Sequence, residues 1–83
     1  MNIDILKSEY ELLTEDIAII STKEAMDERR FDPYGNLKID NTKLDFEAHV
    51  WADNKIRELD FIRLREDISE NDYEEMLSYL ESI

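Results

Sequence analysis

The chain has 83 residues, 42% of them hydrophobic, and this length allows one domain with a small core. One glycine and one proline leave little material for the turns of a sheet protein, so the composition favours an all-α fold. The absence of cysteine excludes disulfides and thiolate metal sites. No apolar run approaches the ~20 residues of a membrane span, and Asp4 stands where a signal peptide would carry positive charge, so we expect a cytoplasmic protein outside the membrane.

Charge is the outlying feature of the composition. Asp and Glu number 22 against 10 Lys and Arg, which gives a net charge of −12. Residues 1–28 carry eight acids and two bases, residues 29–65 seven acids and eight bases, and residues 66–83 seven acids and no base. The excess of acid therefore lies in the two ends. Such a surface repels nucleic acid and anionic membranes and attracts basic partners, although it could also serve solubility alone.

The first predicted helix follows Asn2, a good N-cap residue, and extends to about residue 30. Ser21 with Glu24 matches a capping box that would divide it, and the β-branched residues around 17–20 suit a strand. The acid-rich, turn-poor flanks favour one continuous helix. A coiled-coil-like main seam consists of Ile3, Leu6, Tyr10, Leu13, Ile17 and Ile20, and a second stripe that repeats every seven residues consists of Ile5, Leu12, Ile19 and Met26.

Residues 32–36, with the sequence DPYGN, are the strongest turn signal in the chain. Leu37 and Ile39 alternate with polar residues too briefly for a stable sheet, so we expect an extended linker that tucks both side chains under the domain. Asn41 or Thr42 is predicted to cap the next helix. We interpret the basic residues around this connection as relief of repulsion among the acids. They are Arg29, Arg30, Lys38 and Lys43.

A long central helix is predicted over residues 42–68, and it is apolar on two opposite sides. At about 100° per residue, Leu44, Ala48, Trp51, Ala52, Leu59 and Ile62 share one face, and Phe46, Val50, Phe61, Leu64 and Ile68 share the other. A helix with two apolar stripes lies between layers. In so short a chain the second layer can come from another molecule, and we expect a homodimer as an alternative to a monomer.

The last predicted helix covers residues 70–82. Ser69 is expected to cap it by accepting a hydrogen bond from the backbone N–H of Asp72. The short connection makes this helix an antiparallel neighbour of the central one. The sequence thus predicts an all-α, three-helix domain with a long central helix. The apolar stripe of the last helix is Tyr73, Met76, Leu77, Leu80 and Ile83.

The sequence contains only weak signals for a metal-binding, phosphate-binding or catalytic site. Asp45, His49 and Asp53 follow one another at helical spacing, but no further His or Cys exists to complete a site, so we expect no metal. Gly35 stands alone, which excludes a glycine-rich phosphate loop. The carboxylates lie on predicted exposed faces, where burial does not tune their pKa values for catalysis. We expect no enzyme activity and no cofactor.

Two functions remain. The first is an inhibitor that docks on the basic, nucleic-acid-binding surface of a defence or DNA-processing enzyme and does not bind nucleic acid itself. In size and charge the chain resembles the small acidic inhibitors, DNA mimics or anti-CRISPR-like proteins, that phages encode against restriction, CRISPR or repair enzymes. The second is a helical structural or regulatory adaptor that acts through homodimerisation or a partner helix.

The two hypotheses place the interaction on different residues. For the inhibitor, the predicted contacts are Asp4, Glu11 and Glu15 on the first helix and Glu70, Glu74, Glu75 and Glu81 on the last. For the adaptor, the predicted apolar interface is Phe46, Val50, Phe61 and Leu64 on the central helix.

Overall fold

Three helices make up the fold, as the composition and periodicity predicted. We analysed a computed structural model that describes residues 1–65 and 67–83. Helix α1 covers Ile3–Asp27, α2 covers Thr42–Leu64 and α3 covers Glu70–Glu81. The described residues contain no strand, only an isolated antiparallel bridge between Phe31 and Leu37. The all-α fold class is therefore confirmed.

Helix α1 is continuous through Ser21 but ends earlier than predicted, at Asp27. Arg29 adopts a left-handed conformation with φ of 53°. Its N–H donates to the carbonyl of Met26, and the N–H of Arg30 donates to the carbonyl of Ala25. These two bonds form a Schellman motif, which ends the helix. The predicted extension to residue 30 was wrong because the left-handed position is filled by Arg rather than by the usual Gly.

The turn at residues 32–36 is confirmed. Asp32 Oδ1 accepts hydrogen bonds from the N–H groups of Tyr34 and Asn36, each at 2.9 Å, and Gly35 has a φ of 85°. The linker that follows differs from the prediction, since Leu37 is half-buried while Ile39 is exposed.

Helix α2 begins at Thr42, but the predicted cap residues do not provide the cap. Asn41 stands at the N-cap position without a side-chain hydrogen bond to the helix. Instead, Asp40 Oδ1 accepts from Thr42 N at 2.9 Å and from Thr42 Oγ1 at 2.6 Å. These bonds, with the Thr42 hydroxyl as the largest cause, lower the pKa of Asp40.

The end of α2 also differs from the prediction. The helix ends at Leu64 rather than at residue 68, and Glu66 lies outside the described residues. Ile68 therefore does not continue the outer face of α2. It lies beyond the helix and packs against the core. Helix α3 begins at Glu70 as predicted, and Ser69 caps it because its Oγ accepts a hydrogen bond from Asp72 N at 3.2 Å.

The helices form an elongated bundle with Cα extents of 54 × 16 × 16 Å. Ion pairs from Lys43 to Glu24 (3.5 Å) and from Lys55 to Glu9 (2.9 Å) show that α2 runs antiparallel to α1. Helix α3 is about half as long as the others and completes a three-helix core at one end only. That core consists of Leu6, Ala52, Leu59, Tyr73, Met76 and Leu80.

The other end of the bundle contains α1 and α2 alone. Small side chains dominate the buried positions there, since Ser21 and Ala25 of α1 and Ala48 of α2 are buried along with Ile17. Small residues permit two helices to approach closely without a third layer. At this end of α1 the buried positions are therefore Ser21 and Ala25. Ile20, which was predicted to belong to the main seam, is exposed.

We expect Leu59→Ala to lower the free energy of unfolding by about 2–5 kcal/mol, because Leu59 is fully buried in the three-helix core. Leu12→Ala is the matched control, since Leu12 is 61% exposed and its loss should change stability by no more than about 0.5 kcal/mol. Urea unfolding followed by circular dichroism measures both. Equal losses in the two variants would contradict this position of the core.

Candidate interaction surfaces

The seven acids predicted to contact a partner are all exposed. They comprise Asp4, Glu11 and Glu15 on α1 and Glu70, Glu74, Glu75 and Glu81 on α3. Within residues 1–65 and 67–83, none of the seven takes part in an ion pair. The acids that do so are Glu9, Glu24, Glu28, Glu58 and Asp67. We call the first set the acidic rows of α1 and α3.

The fold brings part of the two acidic rows together. Helices α1 and α3 run parallel, because Tyr79 contacts Tyr10 edge to face at 6.3 Å and Met76 lies beside Ile3. Glu75 lies next to the first turn of α1 in the same arrangement.

Glu11 also lies at the seam between α1 and α3. Burial raises the pKa of Tyr79, and the neighbouring Tyr10 and the charge of Glu11 add to that effect. Lys7, one turn before Glu11, lies at the same seam, with its Nζ 5.9 Å from the centre of the Tyr79 ring. Asp72 borders the seam too, although it is not among the predicted contacts.

Helix α3 is held on α2 by a polar contact as well as by the core. The Tyr73 hydroxyl donates to Asp60 Oδ1 at 2.6 Å, and the guanidinium of Arg63 lies 4.3 Å from the centre of the Tyr73 ring. The ring is buried while the hydroxyl reaches the rim of the bundle. The hydrogen bond to Asp60 is the largest cause of a raised pKa of Tyr73.

The predicted apolar interface of α2 lies on the surface, opposite the core. Phe46 is 66% exposed, Phe61 60% and Leu64 83%, and Val50 is exposed as well. The other face of α2 supplies the core residues Ala48, Ala52 and Leu59. The prediction that α2 is apolar on two opposite sides is thus confirmed, except for Ile68. We call Phe46, Val50, Phe61 and Leu64 the outer face of α2.

A second apolar stripe is exposed along α1. Its members are Ile5, Leu12, Ile19 and Met26, which the sequence analysis had identified by their seven-residue repeat. Helical geometry places Glu9, Asp16 and Lys23 along one side of this stripe and the acidic row of α1 along the other. The stripe is therefore bordered mainly by negative charge.

The residues once considered for a metal site do not converge. His49 Nδ1 lies 2.6 Å from the backbone carbonyl oxygen of Asp45, so that ring nitrogen is engaged within its own helix. In the part of the chain that the structure describes, no three His, Cys, Asp or Glu side chains are placed to hold a metal ion. Among the same residues, no helix is both long enough and apolar enough to cross a membrane.

The raised pKa of Tyr73 predicts a pH dependence of stability. The folded state favours the neutral Tyr73 hydroxyl. Its contribution to the free energy of unfolding is therefore fully present below pH 10.0, the ordinary pKa of tyrosine, and is lost as the pH rises through the pKa of the folded state. We expect Tyr73→Phe to be less stable than the parent at neutral pH and to lose less stability above pH 10.0. Tyr34→Phe is the control, because Tyr34 is 91% exposed. Parallel stability profiles for the parent and Tyr73→Phe between neutral and alkaline pH would contradict the role of this hydrogen bond.

Comparison with known proteins adds no relative. No protein-family model, no curated protein and no solved structure matches this chain. The acidic rows of α1 and α3 and the outer face of α2 are the two surfaces that support a functional proposal.

Proposed function

We propose that this chain is a small, phage-encoded, protein-binding inhibitor that covers the basic nucleic-acid-binding surface of a defence or DNA-processing enzyme. The observation that carries the proposal is the pair of acidic rows, seven exposed carboxylates without an ion pair among the described residues. Charges that are not neutralised within the chain are available to a partner of opposite sign.

The spacing of the acids suits a surface built for phosphates. Carboxylates four residues apart on a helix are separated by about 6 Å along its axis, as Glu11 and Glu15 or Glu70 and Glu74 are. That separation is close to the distance between successive phosphates along one strand of a duplex. Because α1 and α3 run parallel, the two rows can present negative charge over a broad surface in place of nucleic acid.

Some of these acids are placed at a cost to the helix that carries them, although Asp4 and Glu70 lie in first turns, where the helix dipole favours an acid. Like charges four residues apart destabilise a helix by about 0.2–0.5 kcal/mol per pair. Glu81 lies in the last turn of α3, where the helix dipole disfavours an acid, and no basic residue stands there. Residues that lower local stability in this way are typical of functional surfaces, which favours a binding role over solubility alone.

Collective attraction, rather than any one contact, would drive the binding. An exposed ion pair contributes only about 0–1 kcal/mol, so removing one acid should have little effect. Removing several from one helix lowers the field that steers the encounter and should act mainly on the association rate.

The second function, a structural or regulatory adaptor, is favoured by a different observation. The outer face of α2 leaves two aromatic rings and a leucine largely exposed, with the Arg65 guanidinium 5.8 Å from the centre of the Phe61 ring. Burial of such side chains against a partner helix contributes about 1.5–3 kcal/mol each. In that case the acidic rows would serve solubility, and the partner would contact Phe46 and Phe61 instead.

We expect the α3 variant Glu70→Gln, Glu74→Gln, Glu75→Gln, Glu81→Gln to fold normally and to lose inhibition. The four side chains are exposed, and the change reduces the net negative charge from −12 to −8. The assay measures cleavage of a DNA duplex by a panel of restriction, CRISPR and repair nucleases in the presence of the parent or the variant. Inhibition by the parent should diminish as the DNA concentration rises, because the inhibitor and the DNA share one surface.

The matched control changes four acids outside the acidic rows, Asp27→Asn, Glu28→Gln, Asp45→Asn and Glu47→Gln. Its net charge is also −8, so a difference between the two variants reports the position of the acids and not their number. Inhibition that is undiminished in the α3 variant at low salt would refute the proposal, and the outer face of α2 would become the surface to mutate.

A further inference from the structure

The outer face of α2 has a charged centre between two apolar ends. Phe46 and Val50 form one end and Phe61 and Leu64 the other, about 27 Å from first to last. Between them, helical spacing places Asp53 and Arg57 on the same side of the helix. Both charged side chains are exposed, and neither belongs to an ion pair within the described residues.

This pattern is complementary to itself when one copy is reversed. An antiparallel pairing about a two-fold axis that meets α2 at the level of residues 55 and 56 places Phe46 opposite Leu64 of the second copy. The same register places Val50 opposite Phe61, and Asp53 opposite Arg57, each pair occurring twice by symmetry. Apolar side chains then meet apolar ones and opposite charges meet at the centre. A parallel pairing would instead place Asp53 against Asp53 and Arg57 against Arg57.

The charge distribution selects this surface for contact between two copies. Helix α2 carries five acids and four bases, so two α2 helices can approach with little repulsion. The exposed stripe of α1 is less suited to this contact, because its flanking acids outnumber its one flanking base, Lys23, and two such stripes would repel each other. The chain as a whole carries a net charge of −12, and α2 is the helix with the smallest excess of acids over bases.

We infer that two copies of this chain associate at micromolar concentration through the outer faces of α2, antiparallel, with Asp53 of each copy paired to Arg57 of the other. The contact is isologous and closes on itself, so it forms a dimer and does not propagate into a larger assembly. It leaves the acidic rows of α1 and α3 uncovered, and it does not depend on the proposed inhibition.

The mass of the full chain tests the association. Sedimentation equilibrium at physiological ionic strength, from about 1 µM to about 500 µM, resolves a dissociation constant of micromolar order. The parent should change from its 9.9 kDa chain mass to about twice that mass across this range. Phe61→Asp should stay monomeric, and Leu12→Asp, on the equally exposed α1 stripe, should dimerise as the parent does. Both variants alter exposed side chains, and circular dichroism checks that they fold. A parent that is monomeric throughout, or a dimeric Phe61→Asp, overturns the inference.

A charge exchange tests the register. Asp53→Arg and Arg57→Asp each turn two attractive pairs into two repulsive ones and should raise the dimer dissociation constant about tenfold. The double variant exchanges both charges, restores opposite signs across the two-fold axis and should return the constant to near the parental value. Singles that leave the constant unchanged, or a double variant that is as weak as the singles, contradict the Asp53–Arg57 pairing.

Cysteine cross-linking tests the orientation, and the chain offers a clean background because it contains no cysteine. Phe46→Cys mixed with Leu64→Cys should form a mixed disulfide under oxidation. Neither variant alone should cross-link, since identical positions lie about 27 Å apart along the axis in the antiparallel pair. Efficient cross-linking of Phe46→Cys to itself shows a parallel pair and overturns the inference.

Discussion

The packing of Leu59 against the core residues of α1 and α3 is the contact on which the rest of the structure depends. Leu59 is fully buried, as are Leu6, Met76 and Leu80 to within 1%. A chain of this size can build only one such cluster. Because the cluster needs a residue from every helix, it determines that α3 lies beside the first half of α1 and runs parallel to it. The orientation of both acidic rows follows from that placement.

The same constraint explains why so much apolar surface stays exposed. One core covers one face of each helix, and α1 and α2 each have a second apolar face on the opposite side that stays exposed. Charge then distinguishes the two uncovered faces. The α1 stripe is bordered mainly by acids, whereas the outer face of α2 carries both signs. We propose that the acidic rows bind a basic partner and that the outer face of α2 binds a second copy.

Much of the fold could be predicted from the sequence, because local signals and packing agree. Asn2 and Ser69 cap their helices through the expected hydrogen bonds, and DPYGN forms the expected turn. The exposure of the acidic rows followed from periodicity alone. The metal and enzyme expectations and both proposed functions, by contrast, concern chemistry that neither periodicity nor composition decides.

The errors in prediction have local physical causes. The end of α1 was missed because Arg29 takes a conformation that usually requires Gly. Ile20 was assigned to the core because the seam was extended at a repeat of 3.5, whereas a straight helix of 3.6 residues per turn brings Ser21 and Ala25 to the contact instead. Ile68 was placed on the outer face of α2 because no residue nearby marks the end of that helix. That Glu11 and Glu75 both border the α1–α3 seam depends on how the helices pack, which no local pattern reveals.

The central claim is that the acidic rows attract a basic protein surface by charge, and the salt dependence of binding tests it most directly. The affinity of this chain for a captured nuclease partner would be measured from low to moderate salt by surface plasmon resonance. Contacts made through exposed carboxylates are screened within a Debye length of about 10 Å at 0.1 M salt, so the affinity should fall steeply, mainly through the association rate. An affinity that barely changes with salt would contradict the account and would indicate binding through an apolar surface.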